Sequence, residues 1–466
     1  MMSSTAPYHS PPVSSSDITF TCHQTQPDLS AKEKTLDKAY ELLTIDDDRA
    51  CRDISDSACR EAPGNFFLNA GNGALTKLAE QIASPGLVLP WLLSAMGAPS
   101  SLSGFLVPLN RSGSLVPQLL VSSRIRKYQR RKYFWVASGY VQALALLLMI
   151  PLTLFVGGLW GGIGILVLLA VFSVASGVAS VSFKDVMAKT IPKGRRGTLL
   201  SIRATVGGAL ALAAGAWLTL TAGDDEPIQF YAGLLAFAAG LWFAATTLFA
   251  FIREEAGATD GGRNAIEEAR NGWRILSEQH GFRNFVIARS LLLGVPLVVP
   301  FYSLFARELG AGLGGLGLFV MANSLAMVLS SYFWGRIADR SSNKAMGWGG
   351  LIGAAAALIA LAVGWLDLDY TSWWLATIIF ITGFAQAGTR LGRKTYLVDA
   401  APEKERPLYV AVSNTLVGII FLGSSLIGLL AALIGVPGVI AAFTLMMLVG
   451  SVMAFRLPGP ENMVKD

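Results

Sequence analysis

From residue 65 onward, apolar runs recur every 25 to 40 residues and are separated by short polar interruptions. A run of about twenty residues in a helix rises about 30 Å, the thickness of the hydrocarbon layer of a bilayer. The pattern predicts twelve helices that span a membrane, over residues 66–93, 101–121, 134–156, 161–189, 198–221, 229–252, 284–305, 313–334, 345–366, 372–396, 407–433 and 438–456. Within them, Pro85-Gly86, Pro90, Pro296 and Pro300 are expected to bend the first and seventh spans.

The interruptions are of two kinds. Odd-numbered connections are lightly charged or acidic, as in 97–101, 157–162, Asp224-Asp225-Glu226 and Asp367-Leu368-Asp369; even-numbered ones are basic, as in Arg124–Lys132, Lys193–Arg196, Arg336–Lys344 and Lys404–Arg406. Basic loops stay in the cytoplasm, so twelve spans put both termini there. Residues 253–283 read as a polar cytosolic connector with one amphipathic helix, between membrane regions 65–252 and 284–458. Tails of 1–64 and 459–466 complete the expected division of the chain.

The most distinctive interruption is Gly335-Arg336-Ile337-Ala338-Asp339-Arg340-Ser341-Ser342-Asn343-Lys344, read as a short loop. It has an upstream counterpart, Ser123–Lys132, in which Arg124 matches Arg336, Ile125 matches Ile337 and Lys132 matches Lys344. A second pair has nearly the same offset: Pro192 against Pro402, Arg196 against Arg406, Thr205 against Thr415 and Gly208 against Gly418. The chain thus reads as two parallel halves about 210 residues apart. The Gly-Arg-x-x-Asp-Arg pattern with its basic follower resembles the loops after the second and eighth helices of the major facilitator superfamily. The resemblance covers about residues 65 to 458 and implies an all-α membrane protein, with twelve transmembrane helices in two six-helix bundles and secondary transport by alternating access. It also marks Gly335, Arg336, Asp339 and Arg340 as a conformational loop. The first copy departs from the pattern, with Lys127 where Asp is expected, so Asp339 should stabilise one conformer through a contact the first loop lacks.

Composition sharpens the class. With 53% hydrophobic residues, 15% charged and a mean hydropathy of +0.52, the chain has too little charge to surface a soluble globule of 466 residues. A pI near 9.2 would suit nucleic acid, but the cations sit in membrane-flanking loops rather than on one soluble face, which excludes that partner. The expected partners are the lipid bilayer and a small-molecule substrate. Cys22, Cys51 and Cys59 all precede the first span with no metal-ligand spacing, and read as isolated thiols on a reducing, cytosolic tail. That tail has no basic and apolar leader, so insertion is expected to use the first span. Ser30 with Glu33 reads as a capping box opening a helix through Leu43.

Candidate chemistry lies in ionisable groups inside the spans, where each is expensive unless it faces water or a partner. In the first span Asn69, Asn72, Thr76 and Glu80 form a polar stripe flanked by Lys77; Lys77 and Glu80 are spaced to pair as a simple ion bridge or to line a cavity. Arg111 of the second span lies about 20 Å along the helix from Arg124, too deep to snorkel, with Ser114 and Gln118 on the same face. It reads either as a strut to Glu80 or as a binding group. Lys184 and Asp185 of the fourth span and Arg390, Arg393 and Lys394 of the tenth occupy corresponding places in the two halves, within reach of the cytosolic interface. Arg203 and Arg289 are shallower and carry less weight. The deeper set, Lys77, Arg111, Lys184, Arg390, Arg393 and Lys394 against Glu80 and Asp185, favours an anionic solute. A proton could couple through Glu80 or Asp185. The chain has no phosphate-binding Gly-x-x-x-x-Gly-Lys-Ser/Thr loop, and the spans have no cysteine or histidine; neither an enzyme nor a bound cofactor or metal is expected. The expected location is a bacterial inner membrane. The rival functions are a receptor or scaffold that does not transport, and an exporter of a lipophilic or cationic compound.

Overall fold

The structure, a computed structural model, describes residues 38–40, 54–118, 121, 125, 127–192, 195–221, 227–256, 270, 274–311, 313–366, 371–402, 405–429 and 431–463. Two compact units are present, Met1–Ile45 and Asp46–Asp466. Of the first, Lys38–Tyr40 are described and are helical, inside the expected tail helix. In the second unit the described elements are helical: α1 Asp56–Ile82, α2 Val88–Ala95, α3 Ser103–Leu115, α4 Lys132–Pro151, α5 Gly158–Thr190, α6 Arg196–Thr221, α7 Ile228–Ala250, α8 His280–Leu291, α9 Gly294–Glu308, α10 Leu313–Arg340, α11 Ser342–Leu366, α12 Thr371–Ala400, α13 Arg406–Leu429 and α14 Ala431–Phe455.

Among the described residues, eight segments are long and apolar enough to cross a membrane: α4 with its continuation to Val156, α5, α6, α7, α8 with α9, α11, and most of α13 and of α14. The other expected spans are helical as α1–α2, α3, α10 and α12. Of these, α3 is short and α10 holds a shorter apolar run at Gly315–Ser330, while α1 and α12 carry polar and ionisable side chains that depress their hydropathy.

Two spans are broken where proline dictates. Pro85 disfavours helical backbone at Ser84, so α1 ends at Ile82 and α2 begins at Val88. Pro296 cannot donate to Leu292, and its ring crowds that carbonyl; α8 accordingly ends at Leu291 and α9 begins at Gly294. Several boundaries differ from expectation. The first helix starts at Asp56, ten residues before the expected span, because Ser55 caps it by accepting from Ala58 N at 3.2 Å. Residues 335–340 are not a loop but the last turns of α10, and α11 resumes at Ser342. Apolar patterning marks the edge of lipid, and a helix can continue into water beyond it. Cys59 is not an isolated thiol but disulfide-bonded, while Cys22 and Cys51 lie outside the described residues. Bridging depends on Cα separation, which spacing along the chain does not reveal. The amphipathic helix expected in the connector falls mostly outside the described residues.

In the N-terminal half α1 packs on α6 and α7, and α4 on α5 and α7; in the C-terminal half α12 packs on α10 and α11, and α14 on α8, α9 and α11. The halves meet through two crossed pairs, α3 with α13 and α6 with α10. At the second pair a Cβ on Gly317 would lie 2.6 Å from Gly215 O and 2.5 Å from Thr219 N, so the backbones touch where only glycine fits. Nearby, Ser303 Oγ donates to Gly86 O at 3.2 Å and Arg307 to Trp91 O at 3.0 Å, joining α2 and α9. This end of the halves is therefore closed.

Candidate functional site

A cationic cluster faces the gap between the halves near its other end, and helix α12 shows how the sequence builds it. Ala385, Gly388, Gly392 and Tyr396 are buried and follow i, i+3, i+7, i+11 spacing. They seat the helix on α10 and α11: a Cβ on Gly388 would lie 2.6 Å from the Trp334 ring, and one on Gly392 2.7 Å from Ser342 O. Trp334 Nε1 donates to Phe384 O at 2.8 Å. With that face committed, Arg390, Arg393 and Lys394 share the other face one turn apart, with Arg390 and Lys394 exposed and Arg393 half-buried.

Arg111 approaches from the N-terminal half on α3. Its charge acts on both Arg390 and Arg393, and Arg390, Arg393 and Lys184 of α5 all act on Lys394. Arg111 is enclosed by protein at longer range yet keeps exposed side-chain surface, the combination expected of a group lining an internal, water-accessible space. Among the described residues, the side chains of Arg111, Lys184, Arg390, Arg393 and Lys394 make no hydrogen bond or ion pair with protein. Glu80 also acts electrostatically on Arg111, but its ion pair is with Lys77, at 2.6 Å.

The other sequence candidates have protein partners. Asn72 is buried and donates to Ala245 O at 2.9 Å, and Thr76 donates to Gly73 O at 3.1 Å, so much of the polar stripe on α1 packs inside the N-terminal half. Gln118 donates to Ser114 O at 2.8 Å, and Ser114 to Arg111 O at 2.9 Å. Asp185 is ion-paired with Arg131 at 2.9 Å, outside the cationic cluster. It belongs to a network centred on Glu254, whose fully covered carboxylate accepts from Arg131 N at 2.8 Å, Lys132 N at 2.7 Å and Lys189 Nζ at 2.9 Å. This network ties the segment before α4 to α5 and to the end of α7. Of the presumed loop 335–340, Gly335, Arg336 and Arg340 lie on α10, and the side chain of Asp339, on which the asymmetry expectation depends, lies outside the described residues.

Two residues given little weight from sequence prove to be inter-helix clamps. Arg203 of α6 donates to Asn69 O at 2.8 Å and to Asn69 Oδ1, with its guanidinium 4.5 Å from the centre of the Phe183 ring. In the other half Arg289 of α8 is buried and donates to Ser413 and to Asn414 Oδ1, the latter at 2.9 Å. The internal repeat sets Arg203 against Ser413, so the halves use one clamp with donor and acceptor helices exchanged. That alignment carried the signal; depth along the helix obscured it. Arg289 lies close enough for its charge to meet that of Arg393.

A surface cavity of about 560 Å³ lies elsewhere, lined by Asp56, Arg60, Glu61, Arg253, Glu254 and Glu255 among others. Some of its charges are satisfied locally, Arg253 by Glu61 at 2.5 Å and Glu255 by Ser55 at 2.5 Å. Hydrogen bonds from Ser55 and then Ser57 hold the exposed Glu255 carboxyl below its ordinary range.

Residues 285–466 match the family model of the Major Facilitator Superfamily. That part of the chain is similar to the superfamily, and the whole chain resembles it in fold. An uncharacterized protein of Mycobacterium tuberculosis is 25% identical over 380 residues, 77% of this chain and 70% of the relative. A multi-drug resistance efflux pump homolog of Lactococcus lactis is 28% identical over 149 residues, 31% of this chain and 35% of the relative. Among solved structures, a POT family transporter in complex with 5-aminolevulinic acid superposes with a TM-score of 0.65 at 10% identity, covering 84% of this chain and 95% of the other. A D-xylose-proton symporter gives a TM-score of 0.61 at 13% identity, covering 85% and 98%. With its long apolar helices and this similarity, the chain is an integral, multi-pass membrane protein.

Proposed function

We propose that this protein is a secondary transporter that carries a small anion between the two halves by alternating access. The observation that carries this reading is the set of guanidinium groups from both halves, Arg111 on one and Arg390 and Arg393 on the other, which lie within electrostatic reach of one another without any protein acceptor among the described residues. Unpaired cations inside a membrane protein are retained where cavity water or a ligand compensates them. Arginine also offers a planar fork that binds carboxylate or phosphate through two parallel hydrogen bonds. The neighbouring folds named as a POT family transporter and a xylose-proton symporter support transport of a small solute. In this reading Lys184 and Lys394 draw the anion toward the guanidinium groups, and Lys77 with Glu80 borders the site.

Proton coupling takes little support from the geometry, since Asp185 is held by Arg131 and Glu80 by Lys77. Export of a lipophilic compound draws on the efflux-pump similarity, but the cationic lining opposes cationic cargo. Arg111→Lys keeps the charge and loses the fork. It should weaken binding of the transported anion by about 2–5 kcal/mol, more than tenfold, while leaving thermal stability unchanged. Thermal stabilisation of purified protein across an anion and a cation panel locates the ligand. Stabilisation by cations alone, or transport by Arg111→Lys at the wild-type rate, rejects the reading.

A further inference from the structure

The cationic cluster is split between the two moving parts. Arg111 lies on α3 in the N-terminal half, and Arg390, Arg393 and Lys394 lie on α12 in the C-terminal half, opposite Lys184 of α5. The halves are joined at the far end by Arg307 with Trp91, Ser303 with Gly86 and the contact of Gly215 with Gly317. At the cluster end Arg111, Lys184, Arg390 and Lys394 remain exposed.

Opening the far end by rocking requires the cluster end to close, which drives Arg111 and Lys184 toward Arg390, Arg393 and Lys394 and expels the water between them. Repulsion between like charges grows as separation falls and as the effective dielectric drops. Glu80 offers little relief, because Lys77 already holds it at 2.6 Å, and buried Arg289 adds a further positive charge beside Arg393. A bound anion reverses the sign of this effect and makes closure favourable.

We propose that the empty protein is locked open at the cluster end by repulsion between the cations of its two halves, and reorients only with an anion bound. A carrier that cannot return empty exchanges one anion for another and does not carry net flow. This inference rests on the anionic-substrate reading of the same site and adds the mode of transport to it.

The experiment measures the distance between spin labels at Ala188 of α5 and Val398 of α12, both exposed at the cluster end. It uses the full chain in lipid nanodiscs at low salt, without multivalent anions. The wild type should show one long-distance population. Arg390→Gln with Arg393→Gln should raise a short-distance population by about tenfold or more without any ligand. Raising ionic strength with potassium gluconate should shift the wild type in the same direction, a readout that does not depend on the variant folding. A wild type that already populates the short distance, or distributions unmoved by both treatments, overturns the lock. Thermal stabilisation by inorganic phosphate, sulfate or succinate separates the two claims. Stabilisation with unmoved distances rejects the lock and keeps the anion reading. Shifting distances with no stabilisation by any of the three keep the lock and count against the anion reading.

Discussion

Arg203 shows how much one side chain can demand of its surroundings. Its stem occupies the space beside Gly73, where a Cβ would lie 2.2 Å from Nε and 2.3 Å from Cγ. Gly73→Ala should therefore displace Arg203 from Asn69 and destabilise the N-terminal half by about 1–3 kcal/mol, the range for overpacking. Thermal unfolding of Gly73→Ala, Arg203→Ala and the double variant checks this. Non-additivity is expected, because Arg203→Ala removes the clashing group; additive losses would place the clash elsewhere. That Arg203 and Arg289 are charged and sit in spans was legible in the sequence, and so was the repeat that pairs Arg203 with Ser413. What each arginine touches was not, because an i, i+3, i+7 stripe names a helix face and not the helix opposite it. For the same reason Asn72, Glu80 and Asp185 shared a polar reading and then separated: one packs against the α7 backbone, one pairs with Lys77 and one with Arg131.

At the scale of elements, the start of α1 holds the residues that follow α7. Asn65 brackets the backbone of Arg253, donating to its carbonyl at 3.0 Å and accepting from its N–H at 2.9 Å. Glu61 pairs with the Arg253 side chain, and Ser55 both caps α1 and donates to Glu255. Ser55→Ala should cost about 1 kcal/mol through the cap alone, read as faster amide hydrogen exchange in the first turns of α1. The link also has a pH dependence. Because the folded state lowers the Glu255 carboxyl below its ordinary value, the stabilisation is present above the ordinary value and lost as pH falls through the lowered one. Exchange in the first turn of α1 should thus accelerate on acidification in the wild type and change less in Glu255→Gln; equal acceleration in both would remove Glu255 from the account. Helix ends were the least legible elements. The expected boundary near residue 65 tracked the start of apolar sequence, whereas the cap at Ser55 set the start of the helix.

For the whole molecule, orientation is the open quantity, and charge supplies the prediction. Ser100, between α2 and α3, should face outward, and Arg340, at the end of α10, inward, with both chain termini cytoplasmic. A single cysteine at Ser100 should react with an impermeant maleimide in intact cells, and one at Arg340 only after permeabilisation; the opposite result inverts the topology. The disulfide at Cys59 makes the labelling more pointed, because disulfides persist chiefly in oxidising compartments while the basic loops argue for a cytosolic end.

The sequence by itself determined the membrane class, the helical architecture, the repeat of two halves and the identity of the unusual charges. All of these follow from composition and period, which are properties of a chain measured along its length: a bilayer admits only self-satisfied helices or closed barrels, and it penalises every unpaired charge. Only the tertiary structure decided which charges meet. The same cost that made Arg111, Asp185, Arg203 and Arg390 conspicuous can be met by a carboxylate, an amide or water. Asp185 found Arg131 and Arg203 found Asn69, while Arg111 and Arg390, exposed on different halves, come within reach of each other's charge, a meeting that a one-dimensional pattern cannot show.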